Sequence, residues 1–547
     1  MAGPGAGAGV TTTTIRQPAG GLYGWLAAAD HKRIALMSMA AGLVFFVVSG
    51  ANALLVRLEL ARPGEQVLSR DTYNEAFTMH GAGMVYLFVT PVALALGVYM
   101  VPLQVGAAQI LWPRLVLFGF WLYVIGGVIM QAAWLTEDGP GKAGWTAYVP
   151  LSDAVNTPGT GMDMFLLGVI LATSGGLLFA ACTLGTILRL RAPGMTMLRI
   201  PVFCWTMLVT CLMVVMTFPV LIAAMAMLLA DRHGAGIFDG SSGPISFQNL
   251  FWFYGHPVVY VWFFPFLGVV AEVVAVFSGR RLWGYRTLTF ALLAFTALSM
   301  SVWAHHMFTT GQSANNYFAL TSTLLLVPAG IEYLGLGATM WRGSIRLTTP
   351  MLFALAFAFQ FLIGGLTGIM LGAPALDYQL HDSYFVVAHF HYTAFGGALF
   401  GAFAAAYYWF PKMTGLVLRD GLGKLHFWLM VLGFNLTFFP QFIAGWAGMP
   451  RRVADYPATG LLEGANMAST IGGFVLTVAV LIFIANVILS LMDRRPSVAD
   501  PWGGFTLEWA TSSPPPPLNF TAPLPPITSE TPVLDRRIGP PVAEAKP

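Results

Sequence analysis

The sequence predicts an all-α, polytopic membrane protein of twelve transmembrane helices. Three observations carry that prediction. Of 547 residues, 57% are hydrophobic and only 9% are charged, against about 25% charged in soluble domains. Mean hydropathy is +0.71. Apolar runs of about 20 residues, the length that crosses the hydrocarbon of a bilayer, recur along the whole chain. No water-soluble fold hides that much apolar surface, and disordered, collagen-like and disulfide-stapled classes are excluded with it. A net charge of +3 is too small to suggest nucleic acid. Cys182, Cys204 and Cys211 lie in apolar stretches and supply neither a disulfide framework nor a thiolate metal site.

The spans follow in order. Lys32 and Arg33 introduce the first, 33–56; the second, 75–101, holds His80; the third, 114–135, opens at Arg114. The fourth and fifth, 162–188 and 200–229, are separated by Arg189, Arg191 and Arg199. The sixth, 247–277, carries His256, and the seventh, 287–310, carries His305 and His306. The eighth, 316–341, contains Glu332, and the ninth is 350–372. The tenth, 384–410, holds His389 and His391, and 424–447 and 466–492 complete the set. An even number places both termini on one side. Twenty of the 27 Lys and Arg residues fall on that side, so the positive-inside rule makes both termini cytoplasmic, in a bacterial-type plasma membrane. The expected division is a cytoplasmic N-terminal segment, 1–30, a twelve-helix domain, 31–495, and a Pro-rich cytoplasmic tail, 496–547, read as extended or disordered. Met1 to Ala19 lacks the basic-then-apolar layout of a cleaved signal. No internal repeat resembles a transporter's inverted halves.

Histidine placement is the functional signal. A single intramembrane His is more often a hydrogen-bonded core residue than a ligand. Six of them, on four spans, are expensive enough at membrane depth to need a function. His389 and His391 are two apart, so on a helix they point about 200° apart and cannot share one metal. They can hold different cofactors on opposite faces. His80 needs a partner from another span, as a six-coordinate haem iron would provide. Adjacent His305 and His306, with His256, make a three-imidazole set that suits copper. Tyr260 lies one turn from His256 on the same face, placed to give an electron and a proton or to be joined to it covalently.

The stretch Trp252-Phe253-Tyr254-Gly255-His256-Pro257-Val258-Val259-Tyr260 resembles the copper-ligand helix of haem-copper oxidase subunit I. Trp303-Ala304-His305-His306-Met307-Phe308, His381-Asp382, Val387-Ala388-His389-Phe390-His391-Tyr392 and Met449-Pro450-Arg451-Arg452 follow in family order. Gly144-Trp145-Thr146 and Thr506-Leu507-Glu508-Trp509 also fit. The resemblance implies the subunit I architecture and a terminal oxidase (a cytochrome c oxidase of the proton-translocating class) that reduces dioxygen to water. His80 and His391 would be axial to a low-spin haem and His389 to a high-spin haem, both A-type. His256, His305 and His306 would hold one copper, and Tyr260 would be the cross-linkable tyrosine. Arg451 and Arg452 would pair with haem propionates, Arg57 would meet a haem formyl group, and Trp145 would join the cofactor-binding residues. His381 and Asp382 would contribute to a magnesium or manganese site.

The proton-conducting positions depart from the family. Val258 stands where a carboxylate usually follows His-Pro, and Gln109 stands at the usual aspartate, with Val98 and Val116 at its companion asparagines. The usual Pro-Thr-Gly-x-Lys is Pro328-Ala329-Gly330-Ile331-Glu332. Glu332 is therefore the expected catalytic proton relay, since desolvation favours its neutral form and a carboxyl near neutrality can relay protons. Weak or absent pumping is expected. Thr72 and Glu75 occupy the positions of quinol-binding residues, and no Cys-x-x-x-Cys is present. The donor is thus expected to be cytochrome c, through a subunit II carrying a dinuclear copper centre, with a subunit III beside it. Nitric oxide reduction is the alternative the lost channel residues favour, and retention of Tyr260 opposes it. A secondary transporter would leave the paired histidines unexplained.

Overall fold

The computed structural model describes residues 21–64, 66–311 and 314–539. Most of the expected N-terminal segment, and the last eight tail residues, lie outside these. Among the described residues the elements are helices, and eleven are long and apolar enough to cross a membrane. We number the spans α1 His31–Glu59, α2 Arg70–Gln104, α3 Pro113–Leu135, α4 Thr160–Arg189, α5 Val202–Arg232 and α6 Gly243–Ser278. They continue as α7 Tyr285–Thr310, α8 Asn315–Met340, α9 Thr349–Leu371, α10 384–414, α11 Asp420–Trp446 and α12 Leu461–Asp493. The helix expected at 384–410 is α10, a run of three consecutive elements, Tyr384–Thr393, Ala394–Leu399 and Phe400–Thr414.

Lipid and core are equally apolar, so these helices associate by close fit rather than by hydrophobic segregation. The α3–α4 crossing shows the means. A Cβ at Gly126 would lie 2.7 Å from both Ala172 N and Gly168 O, and one at Gly175 would lie 2.4 Å from Gly119 O. Small residues let the two backbones touch.

Departures from regular helix occur where the histidines are. α2 winds into a π segment, Gly83–Val89, directly after His80, and α10 does so at Ala394–Leu399, directly after His391. Such π segments cluster at functional sites because they re-aim side chains. α7 was expected as one helix but changes from α at Tyr285–Ser299 to 3₁₀ at Trp303–Thr310, which carries His305 and His306. α8 breaks at Leu325, between Asn315–Leu324 and Leu326–Met340. Pro328 explains this break: it offers no N–H to Leu324 and its ring crowds that carbonyl.

The tail is mostly irregular, with short helices at Leu507–Ala510 and Pro532–Ile538, and it is neither disordered nor free. Leu507, Trp509, Val533 and Leu534 are buried. Cations at the helix ends hold it there. Lys32 donates to Pro517 O and Asn519 Oδ1, Lys412 to Thr511 O, Arg199 to Ile527 O, and Arg281 pairs with Asp535 at 2.6 Å. The start of α1 and the chain after α12 therefore lie at one end of the bundle, as an even number of crossings demands.

Candidate functional site

Four of the six intramembrane histidines have one ring nitrogen tied to the protein, and a fifth is held by stacking. His80 Nδ1 donates to Ser49 O at 3.0 Å, His391 Nδ1 to Val387 O at 2.9 Å, and His389 Nδ1 to Gly364 O at 2.9 Å. His305 Nδ1 donates to Ser322 Oγ at 2.7 Å, and the Ser322 hydroxyl donates in turn to Phe318 O. His306 is oriented by Trp252, whose ring stacks on it at 3.8 Å between centroids and 12° between planes. Fixing the second nitrogen in this way sets tautomer and ring orientation, as metal-ligating imidazoles require.

The free nitrogens converge. His306 Nε2 lies 3.1 Å from both His256 Nδ1 and His305 Nε2. These three are the only group of three or more metal-capable side chains among the described residues, with ligand atoms all within 4.8 Å of one another. Three neutral nitrogens facing one point fit a copper ion, because imidazole is a preferred copper ligand. His256 is the exception in the set: it presents Nδ1 to the group, and its buried Nε2 has no partner. The Tyr260 ring lies 4.7 Å from the His256 ring.

His80 on α2 and His391 on α10 face each other, with ring centroids 6.4 Å apart and planes 14° apart. An imidazole nitrogen binds a metal at about 2 Å, so two such rings on either side of one metal atom stand about 6 Å apart. The pair fits a six-coordinate haem iron. His389, on the opposite face of α10, sits against Gly368, where a Cβ would lie 2.9 Å from His389 Cε1. This helix presents its two histidines to different neighbours, as their spacing predicts.

Arg57 Nη2 donates to Asn466 Oδ1 at 2.8 Å, and its buried Nε has no partner. Arg451 Nε donates to Asp382 Oδ1 at 2.5 Å, while Arg452 lies over the Phe77 and Tyr148 rings and reaches Thr146 at 3.4 Å. Burial alone would raise the Asp382 carboxyl, but Arg451, His381 and Arg452 outweigh it and hold it below the usual aspartate range. Burial and the neighbouring Arg451 lower the Arg452 guanidinium to about 10. Trp145 is fixed by Tyr86, which donates to its carbonyl at 3.0 Å, and packs edge-on to Phe251 and Trp252. The His381–Asp382 pair fits a divalent cation poorly by itself. His381 Nδ1 is held by Asp377 at 2.9 Å, Asp382 Oδ1 is held by Arg451, and the remaining pair, His381 Nε2 and Asp382 Oδ2, is 4.0 Å apart. Magnesium or manganese prefers about six oxygen ligands.

Glu332 on α8 is 3% exposed, and neither carboxyl oxygen has a hydrogen-bond partner. Gln109 is engaged instead with His31 and with Ala29 O. Sequence reasoning missed the groups that orient the histidines. Trp252 stood within the quoted motif and could have been suspected. Ser322 lies a helix away, and the carbonyls of Ser49, Gly364 and Val387 leave no mark in any side chain.

Comparison with known proteins points to one family. Residues 33–475 match the family described as cytochrome c and quinol oxidase polypeptide I. Cytochrome c oxidase subunit 1 of Corynebacterium efficiens is 48% identical over 510 residues, covering 92% of this chain and 88% of that protein. The probable cytochrome c oxidase subunit 1-alpha of Streptomyces coelicolor is 45% identical over 524 residues, covering 95% and 90%. A chain from a cryo-EM structure of a heme-copper terminal oxidase dimer superposes with a TM-score of 0.72 at 20% identity, over 86% of this chain and 85% of that one, which shows the shared fold.

Proposed function

The chain belongs to the cytochrome c and quinol oxidase polypeptide I family, and from that premise we propose that it is the catalytic subunit of a respiratory terminal oxidase. It reduces dioxygen to water with electrons from cytochrome c, delivered through a subunit II that carries a dinuclear copper centre, with a subunit III alongside. The observation that carries the reading is the convergence of His256 Nδ1, His305 Nε2 and His306 Nε2 on one point.

His80 and His391 would hold the low-spin haem, His389 the high-spin haem, and the three-histidine group copper. Both haems are taken to be A-type. When bound, these groups would supply the electron transfer and the dioxygen binding. The protein's own residues do the rest. Ser49, Val387, Gly364 and Ser322 keep four imidazoles in one orientation. Trp145, Arg452 and Arg451 line the propionate side, with Asp382 fixing Arg451. Arg57, whose buried Nε has no partner, would donate to a formyl oxygen. Tyr260, beside the unpartnered edge of His256, would supply a hydrogen atom from its phenol to dioxygen, becoming a phenoxyl radical that one electron from cytochrome c and one proton restore to the phenol. Glu332 hands protons toward the Tyr260 region from the side of both termini, which we take as cytoplasmic. His381 and Asp382 would add two ligands to a magnesium or manganese ion completed by other donors.

Substitution of Tyr260 by Phe tests the reading. Oxygen consumption should fall to near zero while carbon monoxide still binds the reduced high-spin haem. Full oxygen turnover in that variant would refute the role of the phenol. Val258 and Gln109 at the usual acidic positions favour nitric oxide reduction as the second reading, since it needs no pump. The Tyr260–His256 contact favours oxygen, whose bond cleavage uses the extra electron and proton.

A further inference from the structure

A second buried polar cluster lies at the tail end of the bundle. Glu272 on α6 and Glu508 in the tail are 6% and 0% exposed. Both turn to the same atom. Gln104 Nε2 on α2 lies 3.1 and 2.9 Å from the two Glu272 oxygens and 3.1 Å from Glu508 Oε1. An amide nitrogen has two hydrogens, so it cannot serve three acceptors fully. The other neighbours add little. Phe203 N is 3.4 Å from Glu272 Oε1, Trp409 Nε1 donates to Glu508 Oε1 at 3.2 Å, and Cys204 Sγ faces Gln104 Oε1 at 3.3 Å. Glu508 Oε2 is buried with no partner. Lys412 on α10 directs its ammonium to the carbonyls of Ala499, Thr511 and Ser512. Tyr408 on α10 accepts from Trp509. No cation forms an ion pair with either glutamate among the described residues.

Two buried carboxylates bridged by one neutral amide, and otherwise met only by the neutral donors Phe203 N, Trp409 Nε1 and the Thr506 side chain, cannot both stay ionised, and such a pair shares a proton. Beside Glu272 runs a cavity of about 30 Å³, lined also by Tyr285, Tyr408, Thr506 and Glu530, with room for about two waters. Glu530 is half-buried at its margin, outside the membrane-spanning helices. Burial pushes the Glu508 and Glu530 carboxyls up from the usual glutamate range.

We propose that Glu272 and Glu508, joined through Gln104, form a site that binds one proton and exchanges it with the tail-side solution through the cavity at Glu530. Binding converts one carboxylate to a carboxylic acid, with the proton drawn from water and no electron moved. The tail is then half of a proton site, and not only a cover for the helix ends. The site is separate from the histidine centre and does not depend on which substrate that centre reduces.

Infrared spectroscopy of the purified, lipid-reconstituted complex tests the proposal without using turnover. At neutral pH a carboxylic acid C=O band should be present, should shift in heavy water within seconds, and should lose one carboxyl equivalent in the double variant Glu272→Gln/Glu508→Gln. The haem absorption spectrum serves as the check on folding. Ala275→Leu, which fills the cavity wall, should slow the heavy-water shift at least tenfold. A double variant with undiminished carboxylic acid intensity would overturn the shared proton. A wild-type band that resists heavy water for hours, or exchange as fast in Ala275→Leu, would overturn the route, and the wild-type measurement needs no variant to fold.

Discussion

Glu332→Gln is the most informative change to the proposed proton supply. The side chain is 3% exposed and neither oxygen has a partner, so glutamine removes no hydrogen bond. Its new N–H groups cost at most about 1–3 kcal/mol if unpaired, which leaves a well-packed bundle folded. α8 packs on α6 and α7, the helices that carry His256, Tyr260, His305 and His306, so a relay on α8 sits on a helix adjacent to the site. Loss of a proton-transferring group typically removes a factor of about 10²–10⁴, equivalent to roughly 3–5 kcal/mol of barrier. The expected result is oxygen consumption with reduced cytochrome c at least tenfold slower, with unchanged haem spectra and copper content. Glu332→Lys, which restores a titratable group, should recover part of the rate. Turnover of the Gln variant within about twofold of wild type would show that Glu332 is structural and that protons reach the site elsewhere.

Three further outcomes are expected. His391→Ala should abolish the low-spin haem spectrum, whereas His305→Ala should remove copper and leave both haems, as read by absorption and metal analysis. Gly126→Leu should lower the thermal midpoint of the solubilised protein, because even a Cβ there meets backbone at 2.7 Å and overpacking costs about 1–3 kcal/mol. Asp382 has a folded-state carboxyl pKa below its unfolded value, so its contribution is complete above about pH 4 and is lost as pH falls through the folded value. Asp382→Asn should therefore flatten the decline of the thermal midpoint on acidification below about pH 4 and change little at pH 7.

The membrane spans were legible because apolar length is a one-dimensional property. The eleven counted spans and α10 all lie within a few residues of their expected bounds. The breaks inside them were not legible. The passage of α7 into 3₁₀ geometry at Trp303, and the π segments after His80 and His391, follow from three-dimensional demands on side-chain direction, which periodicity does not carry. Pro328 is the exception, since a proline announces its own kink. At the site, residue types and spacing identified the six histidines, but Ser322, Gly364 O and Ser49 O act through proximity across helices. The tail misled for a related reason. Its prolines keep most of it out of helix, and only the lysines and arginines at distant helix ends, together with Leu507, Trp509 and Val533, reveal that it is bound. The Glu272–Gln104–Glu508 cluster escaped attention because its members are 168 and 404 residues apart from Gln104.

The central claim is that the histidine centre reduces dioxygen. Steady-state turnover of the purified complex, with reduced cytochrome c and with dioxygen or nitric oxide supplied separately, tests it most directly. Dioxygen turnover far above nitric oxide turnover, sensitive to Tyr260→Phe, is the predicted result. Nitric oxide turnover far exceeding that with dioxygen would contradict it.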